Sequence, residues 1–346
     1  MMRFFSWTML VFFLAAMAPK TYGQVDPAKG QILVDGVPVG TLQQAFDAVK
    51  AGGTIRIGPG TYKMAGVLRS KNRRGKGEDQ GAGKDGVSIF GSPGTIFDGV
   101  AVERKATFVL SANDITMEDI ICRNAKVKDR NGACVRFEGT NLTLRRVTFE
   151  NSENGILANK QSGDILIEDS MFRANGAAGR AHGIYVSGGR LTVRRTQVLS
   201  SKDQGHGIKS RAERTIIEDS VIASLEGDDS RLIDLPNGGV VAIRNCLLVE
   251  GANTVNWQLL SYGVENNLLT NNLFRMENNL IITDRDGGSE LILVGDSMPR
   301  PIIQRNLVVG RITYDWPDNN YFYENRRELE LPPAGELPEW AALTPK

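Results

Sequence analysis

The 346-residue chain contains two histidines, His182 and His206, in the segments HGIYVSGGRLTV and GHGIKSRAERTII. Each stands nine residues before an alternating apolar run, at Leu191 and at Thr215, so the two hold the same place in successive copies of one unit and are expected to stack. The same register sets Tyr185 over Lys209 and Ser187 over Arg211. A third copy, RLIDLPNGG, aligns Ile233 with Ile208 and Ile184, which puts Asp234 in the column of Tyr185 and Lys209. With the isoleucines inward, strand alternation turns Tyr185, Lys209 and Asp234 outward together.

Groups of these types suit proton abstraction beside a carboxylate. β-Elimination in a uronic acid polymer needs a cation to neutralise the carboxylate at C5, a base for the adjacent proton and an acid for the departing oxygen. Lys209 and Arg211 fit the first role, His206 or a desolvated Lys209 the second, and Tyr185 the third as donor or shuttle. Asp234 would orient Lys209. It could instead join Glu226, Asp228 and Asp229 in a calcium site, since Ca²⁺ prefers clustered oxygens, with Asp228 and Asp229 as candidate ligands. Reprotonation on the opposite face would turn the same parts into a C5 epimerase. His182, Arg231, Asn237 and Trp257 are candidate substrate contacts, with Tyr262 beside Trp257 as a sugar-stacking surface. Arg231 is expected to depress the pKa of His206 by like-charge repulsion. Glycines at 183, 188, 189, 205, 207, 238 and 239 are expected to leave room for a ligand.

Each member also has a purely structural reading. Stacked histidines can satisfy backbone groups, Lys209 and Asp234 can be a structural ion pair, and Arg211 can be a solvated turn residue. Their coincidence on one face of three copies favours a site. Because Lys209 is taken as a surface group, Lys209→Ala is expected to abolish turnover and leave the thermal transition nearly unchanged.

The elements that position these residues follow from a repeat. ITMEDI at 115, LTLRRV at 142, ILIEDS at 165, LTVRRT at 191, TIIEDS at 215 and VAIRNC at 241 are copies of one unit, with looser versions at FRMENNLII and PIIQRNLVV. Apolar residues occupy the first and third positions and polar Asn, Gly and Ser turns follow, as in a short strand. Units this short bury a face only by stacking, and a period of 20 to 30 residues indicates a solenoid. The L-x-x-L-x-L frame of leucine-rich repeats is absent and β-branched residues dominate, which favours a parallel β-helix.

Charges sharpen the register. The fourth residue of each unit reads Glu118, Arg145, Glu168, Arg194, Glu218, Arg244, and the fifth reads Asp119, Arg146, Asp169, Arg195, Asp219, Asn245. In coils about 4.8 Å apart, each charge then has its opposite above and below. A one-coil slip would stack like on like.

The remainder bounds the class. The net charge is +1, giving no global field for nucleic acid or an anionic membrane, and 38 glycines without a G-X-Y period fit a turn-rich protein. Three cysteines are too few for a disulfide scaffold, and an odd count leaves at least one thiol free or paired between chains. The N-terminus has Arg3, an apolar stretch from Phe4 to Ala18 and small polar residues to Gly23, the pattern of a secretory signal peptide over residues 1–23. Its apolar stretch is short against the roughly 20 residues that span a bilayer. Residues 24–325 are expected to form the β-helix, and 326–346 a Pro-rich tail outside it. The basic stretch from Arg69 to Lys84 is a solvated insertion or a basic lid.

The first coil, TLQQAFDAVKAGGTIRIGPGTYK, reads as an amphipathic helix from Thr41 to Lys50, a strand at Thr54–Ile57 and a turn ending in Thr61-Tyr62. This helix, GGTIRI strand and PGTY turn resemble the N-terminal cap of right-handed parallel β-helix proteins of the pectate lyase-like superfamily. The resemblance implies an all-β, single-domain right-handed parallel β-helix of about ten coils with a short capping helix. It leaves the chemistry open, since that superfamily includes lyases, hydrolases, epimerases, esterases and binding proteins.

The expectation is therefore an exported protein, secreted or periplasmic, acting as a monomer on an acidic polysaccharide, as a lyase or epimerase. GHGIKSRA and GDDS resemble fragments of the polygalacturonase pattern, a hydrolase alternative, although their order is reversed and an upstream Asn-Thr-Asp segment is lacking. A third reading is a non-catalytic polysaccharide-binding scaffold, for which Asn-rich turns such as Asn278-Asn279 would form stacking ladders.

Overall fold

The protein is described from a computed structural model covering residues 26–70 and 83–341. The expected signal peptide and nearly all of the basic stretch from Arg69 to Lys84 lie outside the described residues. Three long parallel sheets run side by side, and each turn of the chain contributes one strand to each. The first holds ten parallel strands, from Thr54–Ile57 to Ile302–Gln304, preceded by the antiparallel pair Ile32–Val34 and Val37–Val39. The second holds eleven strands and the third ten. The capping helix spans Leu42–Ala48, three residues shorter than expected, because Thr41 is its extended N-cap and Val49 is already extended. The Thr41 hydroxyl accepts from the Gln44 amide at 3.1 Å, and Leu42, Ala45 and Phe46 cover the end of the core.

The repeated unit forms the first-sheet strands in the expected register. Leu142 pairs with Ile115 and Ile165, and Leu144 with Met117 and Ile167, all buried. Along the bend that follows, Asp119, Arg146, Asp169, Arg195, Asp219 and Asn245 all take a positive φ between 45° and 59°. Asp and Asn tolerate that conformation; arginine pays a steric cost there, which its ion pair to the aspartate of the preceding coil offsets. Arg146 donates to Asp119 at 2.8 Å and Arg195 to Asp169 at 2.7 Å.

Inside the same bend a second ladder satisfies backbone donors. Ser170 accepts from the Val147 amide, Thr196 from Ser170 and Ser220 from Thr196; further along, Asn279 accepts from Cys246, Asn306 from Asn279 and Asn320 from Asn306. The asparagine stacking foreseen at Asn279 is therefore an internal device of the coils. Cys122 and Cys134 form a disulfide within one coil, and the buried Cys246 thiol, pushed up to about 12 by burial, is free.

Glu168 is the pivot of the charge columns. It is 4% exposed, accepts from Arg145 Nε at 2.8 Å and is also bonded by Arg194 and Arg195. Burial alone would raise its pKa, but the Arg145 and Arg194 bonds and charges outweigh it and hold the carboxyl below its ordinary range. Exposed pairs in such columns are worth at most about 1 kcal/mol, whereas losing one member of a buried set costs about 3 kcal/mol or more. Glu168→Ala is therefore expected to lower the urea midpoint clearly more than Glu118→Ala does. Equal midpoints would show that the ladder acts only on register.

The C-terminal segment lies outside the coils and packs against them. Residues Arg326–Leu329 form a 3-10 turn, and Arg326 makes a buried pair with Asp284 at 2.7 Å. Leu329, Leu331, Leu337 and Ala341 then pack on an apolar strip formed outside the core by Leu199, Val221, Val249 and Ile282. The tail follows the second sheet because that sheet turns apolar residues outward there, and covering them removes them from water.

Candidate functional site on the third sheet

The third-sheet strands Ile184–Val186, Ile208–Ser210 and Ile233–Leu235 lie in register, with Tyr185 opposite Lys209 and Lys209 opposite Asp234. Ile184, Ile208 and Ile233 are fully buried beneath them. The His182 and His206 rings stack with centroids 4.9 Å apart, and Tyr185 meets His182 edge-on at 5.2 Å.

Glycine makes the stacking possible, for a reason other than the one expected. A Cβ on Gly183 would meet the Gly207 carbonyl oxygen at 2.5 Å, and one on Gly207 would meet that of Leu232 at 2.7 Å. A Cβ at Gly188, Gly189, Gly205, Gly238 or Gly239 would likewise crowd neighbouring protein atoms. These glycines let coils approach one another and do not clear space for a ligand.

Lys209 Nζ donates to Asp234 Oδ2 at 2.7 Å, while the Ser261 hydroxyl holds Oδ1. His206 Nε2 also faces Oδ2, at 3.3 Å. Arg211 is anchored at 3.2 Å to the Tyr185 hydroxyl and at 2.6 Å to Asn237 Oδ1, and grips the Glu265 carboxylate with both terminal nitrogens, at 2.6 and 2.9 Å. Tyr185, His182, His206, Lys209, Arg211, Asp234 and Asn237 are thus one connected group.

A family model described as the right handed beta helix region matches residues 78–222. This chain is a right-handed parallel β-helix. Among solved structures, the β-helix is similar to a tailspike protein of Acinetobacter baumannii bacteriophage Fri1, a capsular polysaccharide depolymerase, at 8% identity, with 79% of this chain and 50% of that one covered and a TM-score of 0.40. It is also similar to AlyGC, a PL6-family alginate lyase in mutant form, at 13% identity, 81% and 52% coverage and a TM-score of 0.35. The A-module of Azotobacter vinelandii mannuronan C-5 epimerase AlgE4 gives 13% identity, 82% and 94% coverage and a TM-score of 0.39. The chain spans about half the length of the first two. No curated protein matches it.

The electrostatics of the β-helix redistribute the roles assigned from sequence. Burial lowers the pKa of His206 to about 4; Asp234 opposes the shift, and Lys209 and then Arg231 add to it. The depression attributed to Arg231 is real but chiefly a desolvation effect. His182 is held well below its ordinary value, again first by burial. Its Nδ1 accepts the His206 amide at 3.0 Å, while the His182 amide donates to Asn154. His182 is thus a rung of another ladder and is 2% exposed, which argues against a direct substrate contact. Asp234 would be raised by burial, but His206, Lys209 and the Ser261 hydroxyl outweigh that and bring it to about 2.

Two expected groupings do not form. Tyr262 is fully buried and donates to the Gly239 carbonyl, so it offers Trp257 no partner; alternation from the inward Leu260 requires this. Trp257 itself is 54% exposed, next to Gln258, which accepts from Arg231 at 3.2 Å. Asp228 and Asp229 point apart: Asp228 is exposed and accepts the Asp203 amide, whereas Asp229 is buried and bonded to Ser224. Glu226 pairs with Arg173 instead. Among the described residues no three His, Cys, Asp or Glu groups converge on a metal position, so the donors for calcium do not fit.

Sequence reasoning missed Ser261 and Glu265. Ser261 continues the Tyr185–Lys209–Asp234 column and was reachable by extending the register one coil. Glu265 sits in the irregular turn after strand Gln258–Tyr262, where the repeat spacing fails and no periodic signal exists.

Proposed function

We propose that this β-helix is a carbohydrate-active protein that acts on an acidic polysaccharide, by β-elimination or C5 epimerisation, at the third-sheet face around Lys209. The observation that carries this reading is the placing of Tyr185 and Lys209 on rigid strands of adjacent coils, with Arg211 directly after the second strand and Asp234 and Asn237 fixing them. Arg211 offers a two-pronged guanidinium for a uronate carboxylate. Lys209, aimed by Asp234, takes the proton at C5 as the free amine, its ammonium proton having first passed to solvent. The electrons of that C–H bond form the C4–C5 double bond as the C4–O bond breaks, and Tyr185 returns a proton to the departing oxygen. Reprotonation at C5 without loss of that oxygen gives the epimer. His206 supports Asp234, because its Nε2 already faces that carboxylate.

The names of the similar proteins, a depolymerase, a lyase and an epimerase, agree with this substrate class; the assignment rests on the residues. A hydrolase would need two carboxyls facing one glycosidic bond. The GDD segment does not supply them, since Asp229 is turned into the interior. The N-terminal pattern of the sequence supports export to a secreted or periplasmic location, where we propose that the protein acts as a monomer.

The test incubates the protein lacking residues 1–23 with alginate, polygalacturonate and other polyuronates. Absorbance from unsaturated product ends, or proton exchange at C5 without cleavage, is the expected result. Reducing ends without that absorbance would mean hydrolysis, and binding with neither would mean a scaffold.

A further inference from the structure

Glu265 stands apart from the other acid of the site. Asp234 is buried and held by three side chains, whereas the Glu265 side chain is 41% exposed at the rim. Its carboxylate lies flat against the Arg211 fork, at 2.6 and 2.9 Å, and its Oε1 comes within 3.7 Å of Lys209 Nζ. A carboxylate therefore already bridges the two groups assigned to charge neutralisation and proton removal. Arg211 does not depend on it for position, being held independently by the Tyr185 hydroxyl and Asn237.

The charge count points the same way. Among the groups joined by these bonds, with both histidines neutral, Lys209 and Arg211 balance Asp234 and Glu265. Turning Glu265 outward leaves one positive charge, matched to one monoanionic sugar unit. Swinging out a side chain this exposed returns its carboxylate to water, which offsets part of the cost of breaking the pair. Its backbone amide stays fixed to the Pro236 carbonyl at 3.0 Å, so the exchange needs only rotation of the side chain.

Resting on the reading of the site given above, we propose that Glu265 is an internal stand-in for the substrate carboxylate, which a uronate displaces from Arg211, so that the site selects sugar units bearing a carboxylate at that position. Glu265 then acts on specificity as a competitor and takes no part in bond breaking.

The experiment measures binding of short oligouronates, and of the same oligosaccharides with their carboxyls reduced to alcohols, by calorimetry on the wild type, Glu265→Gln, Glu265→Ala and Glu265→Ala/Arg211→Gln. Both single variants should bind the oligouronates about three- to fivefold more tightly, the range set by losing an exposed competing pair. The reduced oligosaccharides should show no gain, and the double variant should lose it. Weaker uronate binding by the single variants, an equal gain for the reduced chains, or no binding by any form would overturn the proposal. Product assays on the same samples separate the two ideas. The full binding pattern without product sinks the catalytic reading alone, and product with no Glu265 effect sinks the stand-in alone.

Discussion

Lys209→Arg is expected to cut turnover of a polyuronate by about 10³-fold, in the range typical for loss of a positioned proton-transfer group, while leaving the thermal transition nearly where it was. Lys209→Ala should lose turnover and stability together. The sequence alone predicts the alanine variant to be thermally silent, and the geometry reverses that. Asp234 is 4% exposed, and Lys209 donates to it at 2.7 Å. Removing the ammonium leaves a buried carboxylate short of its main counter-charge, at a cost of about 3 kcal/mol or more. Arginine restores the charge but cannot serve as the base, because its guanidinium stays protonated. Thermal melts and steady-state rates on both variants make the check. If Lys209→Arg retains full activity, Lys209 is a structural cation and the proton is taken by another group.

What could be read from the sequence tracks where the repeat is regular. The order and register of the first-sheet strands, the charge columns and the Tyr185–Lys209–Asp234 file all follow from spacing, because parallel coils translate sequence period directly into vertical stacking. Burial depth was not legible. Nothing in HGIYV or GHGIK says that both imidazoles lie under the surface; that depends on the loops over them and on glycines that draw the coils together. Turns without the period were illegible too, which hid Glu265. The packing of the tail was not legible for a related reason. Its prolines suggest an extended strand, and they say nothing of the outward apolar residues near Leu199 and Val249 that it covers.

A buried acid pair outside the Lys209 group should give the largest pH effect on stability. Asp229 and Glu250 are each 1% exposed, and burial, ahead of their mutual repulsion in the case of Asp229, raises both to about 7. Asp229 Oδ1 and Glu250 Oε1 are buried with no hydrogen-bond partner among the described residues, as suits carboxyls that stay protonated. Unfolded carboxyls titrate near about 4, so between about 4 and 7 the folded chain holds protons that the unfolded chain has released. The contribution of the pair to stability is thus whole below about 4 and is lost as pH rises through 7. His206, lowered to about 4, works the other way: the unfolded imidazole binds protons first, so its contribution is present above about 6.5 and lost as pH falls through 4. The two trends oppose each other across one window, and the two raised carboxyls outweigh the single imidazole, so these three groups together should lower stability as pH rises from about 4 to 7. Asp229→Asn with Glu250→Gln removes only the first trend. At pH 8 the double variant is expected to gain about 3 kcal/mol, roughly 5 °C in Tm, after allowing for its buried amides, and to gain nothing at pH 4.5. A loss at pH 8 would mean that a positive partner holds these carboxylates once they ionise there, so that their folded-state values are not raised.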